Sequence, residues 1–403
     1  MLLALLGCAP DGIALGDGAG GGTDTSGSEE APGGGGGGEE DPPDDPKDEF
    51  GCSTLFAQDR MPLYELTIEE GDWRHLQREW RTADGTKDYV PVTELRIDGE
   101  VVPDTMIRLK GNNGCCWVGE KMQFVVAFNE VDPDARVEGE RKVAFDAPYY
   151  EPTVLKNRLA NWFLHRAGLA GTCTNNAELR VNGETQGLYA HMEELDREFL
   201  ERNFGDDNAD GDLWKYGYVL DNHEDEDIDT TRIEAFWSSY DPVRFTALGD
   251  SDEWLREWAA EAILPDGDGY WCCGHNYYLY DHPEQGFLWL PWDKDGTFDW
   301  VAYDTPPDLL YYPDGTPHMT ALLATDAGWA GYLDALRELT ALYGSDEMRS
   351  AYADMRAQTE VVGADDPLRY YDDATYVAYL DSLEAFVPLR RSYLDDWLAS
   401  QPE

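Results

Sequence analysis

Two aromatic runs of strand length, Tyr277 to Tyr280 (YYLY) and Phe287 to Pro291 (FLWLP), stand on either side of a Pro/Gly turn at Asp281 to Gly286. Aromatic runs of this length separated by turn residues predict a β-hairpin. Pairing the strands sets Asp268, His275 and Asn276 at the start of one beside Asp293 and Asp295 at the end of the other. Carboxylates and an amide converging at one mouth suit Mg²⁺ beside a phosphate, because that ion takes hard oxygen ligands and borrows some from the substrate.

Charge narrows the functions open to such a site. The 403 residues carry a formal net charge of -52, a field that repels nucleic acid and anionic membrane surfaces, so DNA and RNA are excluded as partners. The same field repels ATP, which makes a divalent cation a requirement for any nucleotide site. A hydrophobic share of 42% is adequate for a core.

The chain opens with MLLALLGC, which resembles a bacterial lipobox ending at Cys8, although the usual basic n-region is missing. Ala9 to Glu49 is almost wholly Gly, Ser, Asp, Glu and Pro, a composition unable to bury enough apolar surface to order itself. The expected organisation is a signal and lipobox over residues 1–8, a linker over 9–50 and one domain over 51–403. The expected location is the bacterial cell envelope, with the chain exported and held to the membrane through lipidated Cys8. Six cysteines remain, Cys52, Cys115, Cys116, Cys173, Cys272 and Cys273, an even number that permits fifteen disulfide pairings. A four-cysteine zinc site is the competing reading, though adjacent cysteines chelate poorly compared with C-x₂₋₄-C.

Between these ends the pattern alternates strands and helices. LYELTI from Leu63 reads as a strand and Arg74 to Arg81 as a helix. Val92 to Ile97 and Thr105 to Leu109 read as strands with a hairpin turn at Asp98-Gly99. KGNNG at Lys110 to Gly114 is a small-residue loop, and Glu120 to Phe128 reads as a strand bearing Lys121. A helix follows from Glu151-Pro152-Thr153 to Ala167, ended by Gly168. Ala177 to Val181 and Thr185 to Glu193 form a hairpin across Asn182-Gly183, followed by a helix over Asp196 to Arg202. Asp206, Asn208 and Asp210, with Gly211 next, match positions 1, 3, 5 and 6 of a calcium loop, but position 12 is Gly217. Helical patterns occupy Met319 to Thr325, Trp329 to Tyr343, Ser345 to Thr359 and Tyr376 to Ser400. No HExxH, G-x-S-x-G, P-loop or dinucleotide glycine motif is present.

HNYYLY, a short turn and LPWDKDGTF together resemble the signature of the spore-coat-protein-H (CotH) kinase family. RLKGN followed by a lysine-bearing strand, the LKNRLA helix, VNGETQGLY running into EE, and the Asp212 to Gly217 turn are similar to the same family in the same order. The resemblance implies an α+β, atypical protein-kinase-like fold with a β-rich N-lobe and a mostly helical C-lobe. It implies Asp268 as the catalytic-loop aspartate, with Asp266 the alternative because Trp271 to Gly274 lengthens the loop. Asn276 and Asp293 would hold Mg²⁺ or Mn²⁺, and Asp295 would add a contact to the metal. Lys121 would hold ATP phosphates, with Lys110 as runner-up and Asn112 in the small-residue loop between them. Met192, Glu193 and Glu194 would lie under adenine, Lys215 would be a further phosphate contact, and Glu151 the one acid placed to pair with the strand lysine. The same fold would bring Cys115-Cys116 and Cys272-Cys273 to one cleft and cross-bridge them, leaving Cys52 with Cys173. The implied activity is transfer of the ATP γ-phosphoryl to Ser or Thr of envelope or secreted proteins. The rival reading is a kinase-like surface module without turnover, serving adhesion or assembly.

Overall fold

The computed structural model describes residues 47–83, 85–111, 116–223, 227–309 and 313–402. Nine strands make one mixed sheet: β1 (Leu63–Thr67), β2 (Val90–Pro91), β3 (Glu94–Ile97), β4 (Glu100–Val102), β5 (Met106–Leu109), β6 (Phe124–Ala127), β7 (Lys142–Asp146), β8 (Thr174–Val181) and β9 (Glu184–Glu193). Their order is β2-β5-β6-β7-β9-β8-β1-β3-β4, antiparallel except where β1 runs parallel to β8. Strand alternation gives the sheet one core face, built from Ile107, Leu109, Phe124, Val126, Val143, Phe145 and Tyr189. Helix α1 (Glu70–Thr82) adds Leu76 and Trp80 to that core. The opposite face carries Arg108, Lys110, Ala144, Asp146 and Met192.

Helix α2 (Lys156–Arg166) and α3 (Arg197–Phe204) lead to a second sheet of β10 (Leu213–Lys215), β11 (Val219–Leu220), β12 (Tyr277–His282) and β13 (Gly286–Pro291), ordered β11-β10-β12-β13. Around it pack α4 (Thr231–Trp237), α5 (Pro242–Phe245), α6 (Ser251–Ile263), α7 (Tyr270–Cys273), α8 (Pro317–Leu323), α9 (Asp326–Leu342), α10 (Asp346–Ala364) and α11 (Asp373–Ala399). Their shared core holds Trp254, Trp258, Trp271, Trp289 and Leu336. The fold is α+β, with a β-rich N-terminal lobe and a mostly helical C-terminal lobe. Buried Arg158 of α2 ties the lobes, bonding Gln58, Asn176 and Gln358. Among the described residues no helix is long and apolar enough to cross a membrane.

Several local expectations change in the folded chain. The Asp98-Gly99 turn joins β3 to the short β4, while β5 pairs with β2 and β6. Lys121 precedes strand β6 rather than lying in it. Helix α2 starts at Lys156 because Val154 sits at φ 56, a left-handed conformation that a helix cannot continue through. Helix α6 had no counterpart among the expected elements. Glu257 and Glu261 fall on its buried face and interrupt the apolar stripe of Trp254, Trp258 and Ile263.

Cys52 is bonded to Cys173, with Cα atoms 5.6 Å apart, which fastens the entry to β1 onto the start of β8. The expected cross-bridges are corrected by the structure, in which Cys272 bonds its neighbour Cys273. Cys115 lies outside the described residues, as do Asn112, Cys8 with its lipobox, and the linker up to residue 46.

Candidate active site

Pairing of β12 with β13 sets Tyr277 opposite Pro291, and the Trp292 amide donates to the Asn276 carbonyl at 3.1 Å. The hairpin therefore delivers Asn276 and Asp293 to one mouth, as its sequence predicts. Both residues sit at positive φ, 46 and 50, a region disfavoured for residues other than glycine but tolerated by Asn and Asp, and one often occupied at functional sites. The Asn276 side chain donates to Asp268 Oδ2 at 3.0 Å. The His275 Nδ1 lies 3.6 Å from the other Asp268 oxygen, and its ring stacks on Tyr216 at 5.0 Å.

The third acidic residue comes from the other lobe. Asp146 ends β7, and one oxygen each of Asp146, Asp293 and Asp295 lie within 4.8 Å of one another. Asp146 and Asp295 are buried. The Oδ1 atoms of all three lack a hydrogen-bond partner among the described residues. Orphaned carboxylate oxygens facing one point are costly unless a cation joins them, so this donor set fits a divalent metal. Burial pushes the Asp295 carboxyl well up, and the charges of Asp293, Asp146 and Asp268 push the same way. Burial also raises Asp146, although Lys110 opposes it. Its other oxygen accepts from Lys110 Nζ at 3.0 Å. Burial works against the Lys110 charge, but Asp146, Asp293 and Glu194 outweigh it and hold the ammonium above the ordinary lysine range. Tyr150 donates to Asp295 Oδ2 at 2.9 Å.

Lys294, between the two aspartates, points the opposite way. Its Nζ donates to Glu261 at 2.6 Å and to Asp266 at 2.8 Å, all three side chains being fully buried. Asp266 Oδ1 accepts the Asp268 amide at 3.1 Å, and Glu261 accepts the Trp271 amide at 2.6 Å. Burial raises Asp266 to about 6, with Lys294 restraining the shift. Asp266 is thus committed to the interior, whereas the Asp268 side chain is 34% exposed at the cleft.

The remaining candidates divide. Lys121 is not brought to the triad: its ammonium pairs with Asp366 and lies 4.5 Å from the Tyr189 ring. Glu151 is equally distant from a lysine-pairing role, because its carboxylate caps the Thr153 amide at 3.0 Å and accepts the Thr153 hydroxyl. Lys110 with Asp146 supplies the lysine–carboxylate pair instead. Met192 is buried in a small apolar cluster with Ala144, Leu188 and Ala190. Glu193 is taken up by Arg202 and the Cys173 amide, while Glu194 lies close enough to act on Lys110. The Lys215 Nζ lies 5.4 Å from the Tyr278 ring. The partial calcium-loop match is an acidic surface loop. Residues Asp206 to Asn208 turn into a 3₁₀ helix, Arg197 bonds both Asp206 and Asp210, and the Asn208 amide donates to Phe204. A guanidinium occupies the place a cation would need.

Asp146, Tyr150 and Lys294 are the site residues that sequence reasoning missed. KVAFD at 142–146 reads as an ordinary core strand, and only its terminal acid after apolar residues hinted at a role.

The family model described as CotH kinase protein matches residues 107–394. The chain is 24% identical over 272 residues to inner spore coat protein H of Bacillus subtilis (strain 168), an alignment covering 60% of this chain and 70% of that protein. With most of its two-lobed body inside the matched residues, this chain belongs to the CotH kinase protein family.

Proposed function

We propose that the protein is a metal-dependent phosphotransferase that moves the γ-phosphoryl of ATP to Ser or Thr hydroxyls of secreted or envelope proteins. The observation that carries this reading is the meeting of Asp146, Asp293 and Asp295 at one point, with three buried oxygens lacking partners among the described residues, beside Lys110. Mg²⁺ or Mn²⁺ held there would neutralise phosphate charge and align the nucleotide. Lys110 would hold a phosphate oxygen, its charge secured by Asp146. Asp268 would accept the hydroxyl proton as the acceptor oxygen bonds to the γ-phosphorus and the bond to the ADP oxygen breaks. Asn276 orients Asp268 through its amide, and Lys294 with Asp266 fixes the backbone from which Asp268 projects. Most of the rate gain in this chemistry comes from such positioning and charge neutralisation.

Export as a lipid-anchored envelope protein is part of the same reading. The Cys52–Cys173 bond supports it, because disulfides persist in oxidising compartments.

The test is calorimetry of ATP binding to the whole chain under non-reducing conditions, with and without Mn²⁺, beside Asp293→Asn and Asp146→Asn. Mn²⁺-dependent binding that both variants lose is the expected result. A folded protein that binds no ATP with or without Mn²⁺ would overturn the phosphotransfer reading and favour a surface module without turnover.

A further inference from the structure

Helix α1 turns Trp73, Gln77, Trp80 and Arg81 to one side, the spacing of a single helix face. Trp80 anchors that face: its ring stacks on Trp117 at 5.3 Å and its indole N–H donates to the Gly119 carbonyl at 3.0 Å. The face borders a cavity of about 350 Å³, at the small end of the range of small-molecule sites. Glu120 and Met122, the start of β9 from Glu184 to Gln186, and Pro367 with Leu368 after α10 complete its walls. None of these residues belongs to the carboxylate triad or to the Asp268 loop. Helix α1 packs on the core face of the nine-stranded sheet, whereas Lys110 and Asp146 lie on the opposite face.

The polar groups of the cavity are unspent. In a chain with 82 acidic residues against 30 basic ones, Arg81 forms no ion pair or hydrogen bond among the described residues. The Gln77 amide and the Trp73 indole N–H are also without a partner among them. Gln186 is only 8% exposed. Its amide nitrogen donates to the Glu184 carbonyl at 3.3 Å, while its amide oxygen accepts nothing among the described residues. An amide oxygen on a buried side chain favours a ligand that supplies the missing donor.

We propose that this cavity is a binding site for a short neutral saccharide. Arg81, Gln77 and Trp73 offer donors, and Glu120, Glu184 and the Gln186 oxygen offer acceptors, so the ligand must both accept and donate around its rim. A hydroxyl does both. A phosphate meets two carboxylates that repel it, and a simple cation has no use for the guanidinium and amide donors. The half-buried Trp73 ring supplies an apolar flat surface for the C–H face of a pyranose. Side chains rather than free backbone supply the polar groups, which suits hydroxyls better than the amides of a peptide. Helix α1 lies ahead of residues 107–394, so membership of the family does not supply this wall. The site stands apart from the phosphotransfer reading and does not depend on it.

The experiment titrates the whole chain, without nucleotide, with cellobiose, N,N′-diacetylchitobiose, maltose and tetraserine, read by calorimetry and by saturation-transfer NMR. Saturable binding of at least one disaccharide is expected. Gln77→Ala and Arg81→Ala are each expected to weaken it about tenfold without changing the melting temperature, since neither side chain has a partner to lose. Trp73→Ala is expected to remove it. Hydrogen exchange should slow in residues 73–81 and at Leu368 when the sugar binds. No saturable binding of any disaccharide by the folded chain overturns the proposal, as does binding that Gln77→Ala and Arg81→Ala leave unchanged. Tetraserine binding that needs Arg81 and Gln77, with no disaccharide bound, overturns the saccharide assignment and gives the cavity to a peptide.

Discussion

Lys294 stands between two carboxylates of the triad, but its own side chain turns inward to Glu261 and Asp266. The run Asp293-Lys294-Asp295 thus builds two things from three residues: a pair of carboxylates that meets Asp146 and a buried anchor under Asp268. Removing the ammonium strands two fully buried carboxylates, and breaking such a pair costs about 3–5 kcal/mol. Lys294→Met is therefore expected to lose that much in urea unfolding, measured with chelator present. A loss under about 1 kcal/mol, the range of an exposed pair, would show that the network is not holding the loop. The two lysines of the RLKGN segment and its following loop illustrate a limit of reading residues alone. Lys110 and Lys121 look alike in sequence, and which one faces the triad depended on Asp366, a partner 245 positions from Lys121.

Among the elements, the segment after α10 acts as a strap across the lobes. Asp366 accepts the Leu188 amide at 3.0 Å and the Leu368 amide at 2.8 Å besides pairing with Lys121. Tyr370 donates to the Val118 carbonyl at 2.7 Å and Tyr371 to the Tyr149 carbonyl at 2.9 Å. Gly187 makes room for it: its φ is 92, and a Cβ there would meet the Asp366 carboxyl at 2.0 Å. Gly187→Ala combines a left-handed backbone with a clash, and is expected to destabilise by about 2–4 kcal/mol. Hydrogen exchange should rise in residues 366–371 in that variant. Unchanged melting and unchanged exchange would mean the strap is not fastened at Gly187. The β12–β13 hairpin was readable in advance because its signal is local, a turn between aromatic runs. Helix α6 was not, since its buried acids answer to Lys294 from a distant turn.

Across the whole molecule the balance of buried charge sets the response to pH. Burial and the charge of Glu193 raise Glu140 to about 8, and burial raises Asp266 to about 6. A carboxyl raised in the folded state contributes stability that is present below its unfolded pKa and is lost as pH rises through the folded value. Burial lowers His165 to about 4, His191 to about 3 and His318 to about 4. Those rings contribute stability that is complete above about 6.5 and lost as pH falls toward 4. Between pH 6.5 and 8 the histidines have only the last half of their titration in the unfolded chain left to gain, whereas the raised carboxyls of Glu140 and Glu257 lose their contribution, so stability falls as pH rises. The net charge of -52 adds self-repulsion in the same direction. Urea unfolding at pH 6.5 and 8 with chelator is expected to show a lower midpoint at 8 than at 6.5. A midpoint that climbs from 6.5 to 8 would contradict this.

The sequence by itself determined the family, the α+β division and the hairpin that carries Asn276 and Asp293, because each was carried by a local pattern or by a family likeness. Tertiary structure alone decided which carboxylates and cations share the cleft. Asp146 reaches Asp293 only through the order of strands in the nine-stranded sheet and the seating of that sheet on the second lobe. Proximity of charges between distant segments follows from strand order and lobe packing, and neither is written in the spacing of residues along the chain.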